Sequence, residues 1–387
     1  MGAAFDRPSI EKISATRFTE GNRVKLLYKG RDSFKAIFEC ANDAKEFICL
    51  QFYIFRNDET GTELADLLKK KAREGVNVYV LYDHFGSIGT PGRFWNELSD
   101  AGITLRASRP FKWFSPFHYA HRDHRKLLII DCARAFTGGL NIANEYRGFH
   151  LRRKRAWRDT GIILEGPIVP ELFATFRKAW QTWGGPTIPL PEMPACQIPP
   201  PAPYVPLPVI TIFASSAKGR RRMRKLLYHS ITHAQKSIHL TTAYFTPSRR
   251  MLYSLEEAVR RGVRVKLLLP GQSDVPAAYY AGRASFSRLL KSGIRIFAYH
   301  GEMLHAKSYV FDECWSIVGS ANLDFQSLRW NDEGNVGILD EGFGREMTAV
   351  FEEDVTHAPE IHSDEWAKRP FSEKIKERFF VLFRRRL

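Results

Sequence analysis

Long apolar runs are missing from this chain of 387 residues, and their absence argues against proteins with membrane-spanning helices. No run approaches the roughly 18 to 20 apolar residues that span a bilayer as a helix. The opening residues Met1–Pro8 lack the apolar core of a signal peptide. The five cysteines are odd in number and show no C-x-x-C spacing, which predicts free thiols in a reducing cytoplasm rather than a disulfide framework.

Acidic residues are also few relative to basic ones. Asp and Glu number 42 against 58 Lys and Arg, which gives a net charge of +16 and a pI near 9.6. Two basic runs, at 152–155 and 220–225, add to this excess. Such a balance predicts an anionic partner: nucleic acid, an acidic lipid surface or a phosphate-rich substrate. Charge alone does not choose among the three.

The pattern H-x-K-x4-D occurs twice, at 124–131 and at 305–312. Each copy runs into an apolar stretch typical of a buried strand, at 127–130 and at 308–311, and then into a turn of small residues ending in Asn141 or Asn322. Because the two copies share spacing, flanking strand and downstream turn, the sequence predicts a duplicated module whose two halves build one active site.

Side chains alternate along a strand, so the histidine and the lysine of each copy share one face. One histidine can attack phosphorus as a nucleophile, and the other can protonate the leaving alkoxide and then deprotonate the incoming hydroxyl. The lysines supply positive charge, so neither a metal nor another cofactor is predicted. The predicted catalytic residues are His124, Lys126, Asp131, His305, Lys307 and Asp312. The predicted phosphate-binding residues are Asn141, Ser320 and Asn322.

Strands alternate with helices in both parts of the chain, which predicts an α/β fold with mainly parallel mixed sheets flanked by helices. In the first part, a strand at 47–55 precedes a helix at 62–74 and a strand at 76–82; in the second, 236–245, 249–261 and 263–269 repeat this order. The predicted divisions are a first half at 1–184, a proline-rich connector at 185–208, a second half at 209–357 and a basic amphipathic tail at 358–387.

With these motifs in place, the sequence resembles the phospholipase D superfamily, and within it the cardiolipin synthases. The segments that carry the resemblance are the two H-x-K motifs, 319–333, 157–159 with 164–167, 21–24 and 243–247. Where the second motif usually holds arginine, this chain has Gln326. The chain resembles a short form without N-terminal transmembrane helices.

The resemblance implies a carboxylate that orients each histidine. Glu333 is the expected partner of His305, and Asp159 that of His124. Asp131 and Asp312 then take structural roles rather than proton-transfer roles. Family habit favours His124 as the nucleophile.

The resulting expectation is a phosphatidyltransferase at the cytoplasmic face of the cell membrane, converting phosphatidylglycerol to cardiolipin and glycerol. The expected partners are an anionic phospholipid surface and phospholipid substrates, with no obligate protein partner. The alternatives are a phospholipase D hydrolase, a nuclease and a non-catalytic scaffold. The aromatic segment 111–119 and the tail at 371–387 favour lipid, the tail either binding membrane or docking on the protein.

Overall fold

The computed structural model describes residues 5–111, 121–148, 156–189 and 205–386. Most of the aromatic segment 111–119, the basic run 152–155 and the middle of the proline-rich connector lie outside these residues. The elements of the first part are α1 (Arg7–Ser14), β1 (Thr19–Leu27), α2 (Gly30–Asn42), β2 (Phe47–Phe52), α3 (Glu59–Arg73), β3 (Asn77–Asp83), α4 (Gly92–Asp100), β4 (Thr104–Ser108), β5 (Leu127–Ile130), β6 (Arg134–Gly138), α5 (Asn144–Arg147), β7 (Gly161–Glu165) and α6 (Val169–Thr182).

The second part repeats this order and adds helices at its end. Its elements are β8 (Leu207–Ala214), α7 (Ala217–His233), β9 (Ser237–Thr241), α8 (Arg249–Arg260), β10 (Arg264–Pro270), α9 (Pro276–Arg283), α10 (Phe286–Lys291), β11 (Arg295–Tyr299), β12 (Ser308–Phe311), β13 (Trp315–Gly319), α11 (Phe325–Arg329), β14 (Glu333–Leu339), α12 (Glu341–Val355), α13 (Ser363–Ala367), α14 (Phe371–Val381) and a C-terminal 3-10 turn (Arg384–Arg386).

The strands of both parts form one continuous sheet. Its order is β11-β10-β9-β12-β13-β14-β8-β1-β7-β6-β5-β2-β3-β4, so the two parts contribute the same strand sequence in opposite directions from the centre. They join where β1 and β8 pair antiparallel, with Asn22 opposite Leu207. The predicted α/β fold built from two similar halves is confirmed.

The prediction of mainly parallel sheets is wrong. Only β2-β3-β4 and β9-β10-β11 pair in parallel, and the other pairings among the described strands are antiparallel. Parallel neighbours need a crossover connection, and α3, α4, α8, α9 and α10 lie in the connections between these strands. After β5 and β12 the chain instead returns through tight turns, at 131–133 and 312–314, and forms hairpins with β6 and β13.

Helices cover both faces of the sheet and bury their apolar sides against it. In α3, Asp58 caps the first turn by accepting the Gly61 N–H at 3.0 Å, and Leu64 and Leu68 are fully buried. A central core lies under the join, where Ile129 and Val310 from the two motif strands belong to one cluster. None of the helices in the described part of the chain is long and apolar enough to cross a bilayer.

Candidate active site

Two short backbone ladders cross between the halves beside the H-x-K motifs. In the first, the His124 N–H donates to the Asp332 carbonyl at 2.9 Å, and the Asp332 N–H donates to the Arg122 carbonyl at 2.8 Å. In the second, the His305 N–H donates to the Arg158 carbonyl at 2.7 Å, and the Arg158 N–H donates to the Met303 carbonyl at 2.9 Å. Each histidine is thereby fixed next to a segment of the other half.

This crossing overturns the expected pairing of histidines and carboxylates. Nδ1 of His124 lies 3.1 Å from Oε2 of Glu333, and Nδ1 of His305 lies 2.6 Å from Oδ2 of Asp159. The expectation had Glu333 with His305 and Asp159 with His124. The pairs are exchanged because the segments carrying Glu333 and Asp159 each bridge to the opposite half.

Both histidines are buried, and burial together with the neighbouring lysines favours the neutral ring. Burial, and then the Lys126 ammonium, lower the pKa of His124. Burial and Lys307 lower the pKa of His305 to about 4. Burial opposes ionisation of Glu333, yet His124 and Lys126 hold the pKa of this carboxyl below its usual range. With Nδ1–H donated to a carboxylate, Nε2 is left as the nitrogen that can act on a substrate.

The two motif lysines are buried behind the histidines. Lys126 Nζ donates to the His124 carbonyl at 2.7 Å, and Lys307 Nζ donates to the His305 carbonyl and lies 2.7 Å from its Nδ1. Burial lowers the pKa of Lys126 to about 7 and that of Lys307 to about 8. The pair therefore lies behind the imidazoles, in a charge state that is sensitive to a nearby anion.

The two histidines line one cavity of about 450 Å³. Asn141 and Asn322 line it as well, in matching positions: their Oδ1 atoms accept the Ile54 N–H at 3.2 Å and the Tyr244 N–H at 3.3 Å. Ser320 does not reach the cavity. Its hydroxyl donates to Glu333 and accepts the Gly334 N–H, so in this structure the serine supports the carboxylate that holds His124.

Asp131 and Asp312 lie outside the histidine cluster, at the far ends of β5 and β12. Asp131 accepts the backbone N–H groups of residues 45–47 at 2.7 to 2.9 Å. Asp312 accepts those of residues 235–237 over the same range of distances. Each carboxylate thus fixes the start of the strand that neighbours its own motif strand, as the structural interpretation of these residues expects, and neither contacts a histidine.

Aromatic side chains around the histidines escaped the sequence analysis as site residues. The rings of Tyr53 and Tyr146 meet His124 and His305 edge-on, at centroid distances of 5.0 and 5.2 Å. Trp157 lies 5.7 Å from His305. Tyr53 directly follows β2 and Tyr146 lies in α5, and no spacing in the sequence connects either to a motif. These rings give the cavity apolar walls against the imidazoles.

A buried charge cluster fixes the two halves beside His124. Asp332 binds Arg109 from the first half at 2.6 Å and Arg220 from the second at 3.2 Å. Asp123 binds the neighbouring Arg125 through two contacts, at 2.8 and 2.7 Å. Buried ion pairs of this kind specify geometry more than they add stability, which suits a site assembled from two halves.

Gln326, at the position where the family usually has arginine, also lines the cavity. Its Nε2 donates to the Arg386 carbonyl at 2.7 Å, and the Arg386 residue lines the same cavity. The C-terminal turn therefore contributes a residue to the cavity beside Gln326.

Comparison with known proteins identifies the family of this chain. A family model described as "Cardiolipin synthase, PLD-like domain" matches residues 37–180 and 227–355. Cardiolipin synthase A of Pseudomonas putida is 33% identical over 358 residues, which cover 92% of this chain and 73% of that protein. A probable cardiolipin synthase of Bacillus subtilis is 32% identical, over 94% of this chain and 72% of its own length.

Among solved structures, the phosphatidylserine synthase of Haemophilus influenzae Rd KW20 superposes with a TM-score of 0.73 at 17% identity, covering 98% of this chain and 100% of that one. This likeness extends the shared fold over nearly the whole chain. With both segments of the family model matched, the chain belongs to the cardiolipin synthase family of phospholipase D-like proteins.

Proposed function

We propose that this protein is a phosphatidyltransferase that converts two molecules of phosphatidylglycerol into cardiolipin and glycerol. The observation that carries the proposal is the pair of buried imidazoles at one cavity, each with Nδ1 bound to a carboxylate of the other half. Two imidazoles held in this way suit a double displacement at phosphorus, because one attacks while the other moves the proton. The relatives named cardiolipin synthase support the choice of lipid.

In the first step, Nε2 of one histidine attacks the phosphorus of phosphatidylglycerol. The other histidine enters this step as the imidazolium, having taken up a proton at Nε2 from solvent when the anionic substrate binds. The bond between phosphorus and the headgroup oxygen breaks, and this histidine gives the departing glycerol its Nε2 proton. In the second step, that histidine takes a proton from a hydroxyl of a second phosphatidylglycerol, whose oxygen attacks phosphorus. The phosphorus–nitrogen bond breaks, and cardiolipin leaves. Atoms and protons balance, and the attacking histidine returns to its neutral state.

The two lysines and the two asparagine amides stabilise the negative charge that develops on the phosphate. An incoming phosphodiester favours the charged forms of Lys126 and Lys307, whose pKa values of about 7 and 8 leave them ready to gain protons near neutral pH. Asn141 and Asn322, one from each half, line the cavity. We assign these four groups to stabilising the non-bridging oxygens.

The C-terminal helix supports action at a membrane surface. It docks on α9, where the buried Glu377 binds Arg283 and Arg369, and Phe380 stacks on Tyr280. Its other side leaves five large apolar side chains exposed by 45 to 75%, namely Phe371, Ile375, Phe379, Leu382 and Phe383. An outward apolar face next to a terminal arginine cluster suits shallow insertion among anionic headgroups at the cytoplasmic leaflet.

Lipid product analysis tests the proposal. Purified protein is incubated with vesicles of phosphatidylglycerol labelled in the headgroup and in the acyl chains, with a His124→Ala, His305→Ala variant as the control. Cardiolipin and free glycerol in equal amounts, absent with the variant, are expected. Phosphatidic acid as the main product would replace transfer by hydrolysis. Lipid left unchanged, with cleavage of DNA or RNA, would replace the lipid assignment by a nuclease.

A further inference from the structure

A second cavity, of about 530 Å³, lies apart from the histidines and is lined mainly by cations. Eight of its eleven lining residues are Arg or Lys, and none is Asp or Glu. Helix α7 contributes Arg221, Arg224 and Lys225 to it. Arg220 of the same helix points elsewhere and is paired with Asp332. The cations of this cavity are therefore grouped around a common space instead of being matched by carboxylates.

Other elements complete the cationic wall. Arg249 and Arg250 come from the first turn of α8, whose N-cap is Ser248. The partial positive charge of that helix end adds to the side-chain charge. Arg329 comes from α11, and Arg384 and Arg385 come from the C-terminal turn. Four separate segments of the fold thus bring positive charge to one place.

Grouping these cations has an electrostatic cost. Burial and then the neighbouring Arg329 lower the pKa of Arg224, which is half-buried in the cavity wall. Like charges at close range repel, and an anion bound among them removes the repulsion. Arginine and lysine side chains around a helix N-terminus are the usual ligands of phosphate groups in proteins.

The position of the cavity relates it to both the catalytic site and the apolar tail. Phe325 and Arg329 of α11 line the basic cavity, while Gln326 of the same helix lines the catalytic one. Likewise Arg385 lines the basic cavity and Arg386 the catalytic one. The exposed Leu382 and Phe383 directly precede this turn, so insertion of the tail would bring the basic cavity to headgroup level.

We propose that the basic cavity binds the phosphate headgroup of an anionic phospholipid at the bilayer surface, as a site separate from the catalytic cavity. The proposal rests on the membrane association put forward above, and not on the two-histidine chemistry. A lipid held there places the neighbouring catalytic cavity against the same leaflet.

The test compares two double variants on one helix. Arg221→Glu with Lys225→Glu reverses two exposed cavity residues four positions apart. Lys218→Glu with Arg222→Glu makes the same change of net charge, with the same spacing, at residues that do not line the cavity. Affinity is measured for phosphatidylcholine vesicles with and without phosphatidic acid. Thermal unfolding checks the fold, and turnover of a short-chain phosphatidylglycerol below its micelle concentration checks the catalytic cavity.

We expect the cavity variant to lose at least about tenfold in affinity for the anionic vesicles, and the matched variant to lose no more than about threefold. Both variants should turn over the monomeric lipid as the unchanged protein does. Equal losses of vesicle affinity would show general attraction by a basic surface and overturn the site. Loss of monomer turnover in the cavity variant alone would overturn its separation from catalysis.

Inorganic pyrophosphate distinguishes lipid from a soluble phosphate ligand. We expect it to compete with the vesicles only weakly, because it gains nothing from the apolar tail. Tight calorimetric binding of pyrophosphate to the unchanged protein, lost in the cavity variant and equal to its vesicle affinity, would overturn the lipid assignment. If the two-histidine proposal fails while the vesicle result stands, the basic cavity remains a lipid site on a protein of other activity.

Discussion

His124 and His305 occupy matching places in the two halves, yet the carboxylates that hold them differ in length and in support. Glu333 receives Nδ1–H of His124 at 3.1 Å and also the hydroxyl of Ser320. Asp159 receives Nδ1–H of His305 at the shorter distance of 2.6 Å and accepts the N–H of Thr160. At the position that matches Ser320, the first half has Gly139.

The position of the Asp159 carboxylate in the first half requires a glycine at position 139. A Cβ at Gly139 would lie 2.0 Å from Oδ1 of Asp159, far inside contact distance. In the second half the longer glutamate leaves room for the serine, which then shares its carboxylate with the histidine. The His305 arm, meaning this histidine with Asp159, therefore has one short hydrogen bond. The His124 arm, meaning that histidine with Glu333, has a longer contact within a hydrogen-bond network. The two halves therefore differ in the carboxylate that holds each histidine and in the residue at positions 139 and 320. Such a difference suits two histidines with different roles.

The largest expected effect comes from removing either ring. His124→Asn and His305→Asn should each lower turnover of phosphatidylglycerol by at least about a thousandfold, because nucleophile and proton-transfer group act as one unit. A substrate with a nitrophenolate leaving group needs no proton at its departing oxygen. On that substrate, release of nitrophenol should recover in one variant and not in the other.

The variant that stays inactive has lost the nucleophile, which we expect to be His124. Nitrophenol release recovered in both variants, or in neither, would contradict a division of labour between the arms. The matched control is His300→Asn, which makes the same substitution at an exposed histidine and should leave both activities unchanged.

The next largest effect tests the exchanged pairing itself. Asp159→Asn and Glu333→Gln should each lower kcat by about a hundredfold to ten-thousandfold, because an amide no longer fixes the tautomer with Nδ1–H. In a double-mutant cycle, Asp159→Asn should add little to His305→Asn, since the partner of the carboxylate is already gone.

Nitrogen NMR chemical shifts of the imidazoles provide a second test of which carboxylate binds which histidine. Asp159→Asn should move the signals of His305 and leave those of His124 nearly unchanged, with Glu333→Gln doing the reverse. Movement of the His124 signals by Asp159→Asn alone would restore the pairing expected from sequence and contradict the one described above.

The exchanged pairs of histidine and carboxylate show how much of the site can be predicted from the sequence alone. The strands at 127–130 and 308–311 were predicted with the bounds that the structure has, because an apolar run between a motif and a turn is a local signal. Glu333 and Asp159 were also singled out. The histidine that each carboxylate binds was predicted wrongly, because the ladders at His124–Asp332 and His305–Arg158 join distant segments and leave no periodic pattern in the sequence.

The distinction between local patterns and distant contacts also explains the outcomes of the other structural predictions. Helix α3 and strand β3 follow apolar spacing, and their bounds differ from the predicted ones by a few residues. The parallel arrangement was overestimated because a hairpin strand and a crossover strand have the same composition when both are buried. Tyr146 reaches His305 only through the folding of α5 over the site, so its place could not be read from the chain.

A smaller effect is expected from exchanging the residues at positions 139 and 320, which lie beside the carboxylates of the two arms. Gly139→Ser should displace Asp159 and lower kcat by about a hundredfold, since the added atoms overlap its carboxylate. Ser320→Gly removes one hydrogen bond from Glu333 and should lower kcat by only about tenfold. Equal losses in the two variants would show that the arms are supported alike. Thermal unfolding of each variant separates a local loss of activity from loss of the fold.

The smallest effect concerns stability against pH. The pKa of His305 is about 4 in the folded protein, below the ordinary value of about 6.5 expected when the chain unfolds. As pH falls below about 6.5, the unfolded state therefore binds the proton first, and stability is lost until the folded state also binds it near pH 4. Between about pH 7 and about pH 5.5, this histidine should remove about 1 kcal/mol from the free energy of unfolding.

Urea unfolding at the two pH values measures that change, and His305→Asn should abolish this part of it. His300→Asn, at an exposed position, should leave the pH dependence as it is in the unchanged protein. His124→Asn provides the comparison between the arms: burial and Lys126 lower its pKa as well, so its removal should act in the same direction. An unfolding free energy that keeps its full pH dependence in His305→Asn would mean that this imidazole has nearly the same pKa in the folded and unfolded states, which would contradict the lowered value. A steeper loss of stability on acidification in that variant would mean that the imidazole is already protonated in the folded state, as a permanent ion pair with Asp159.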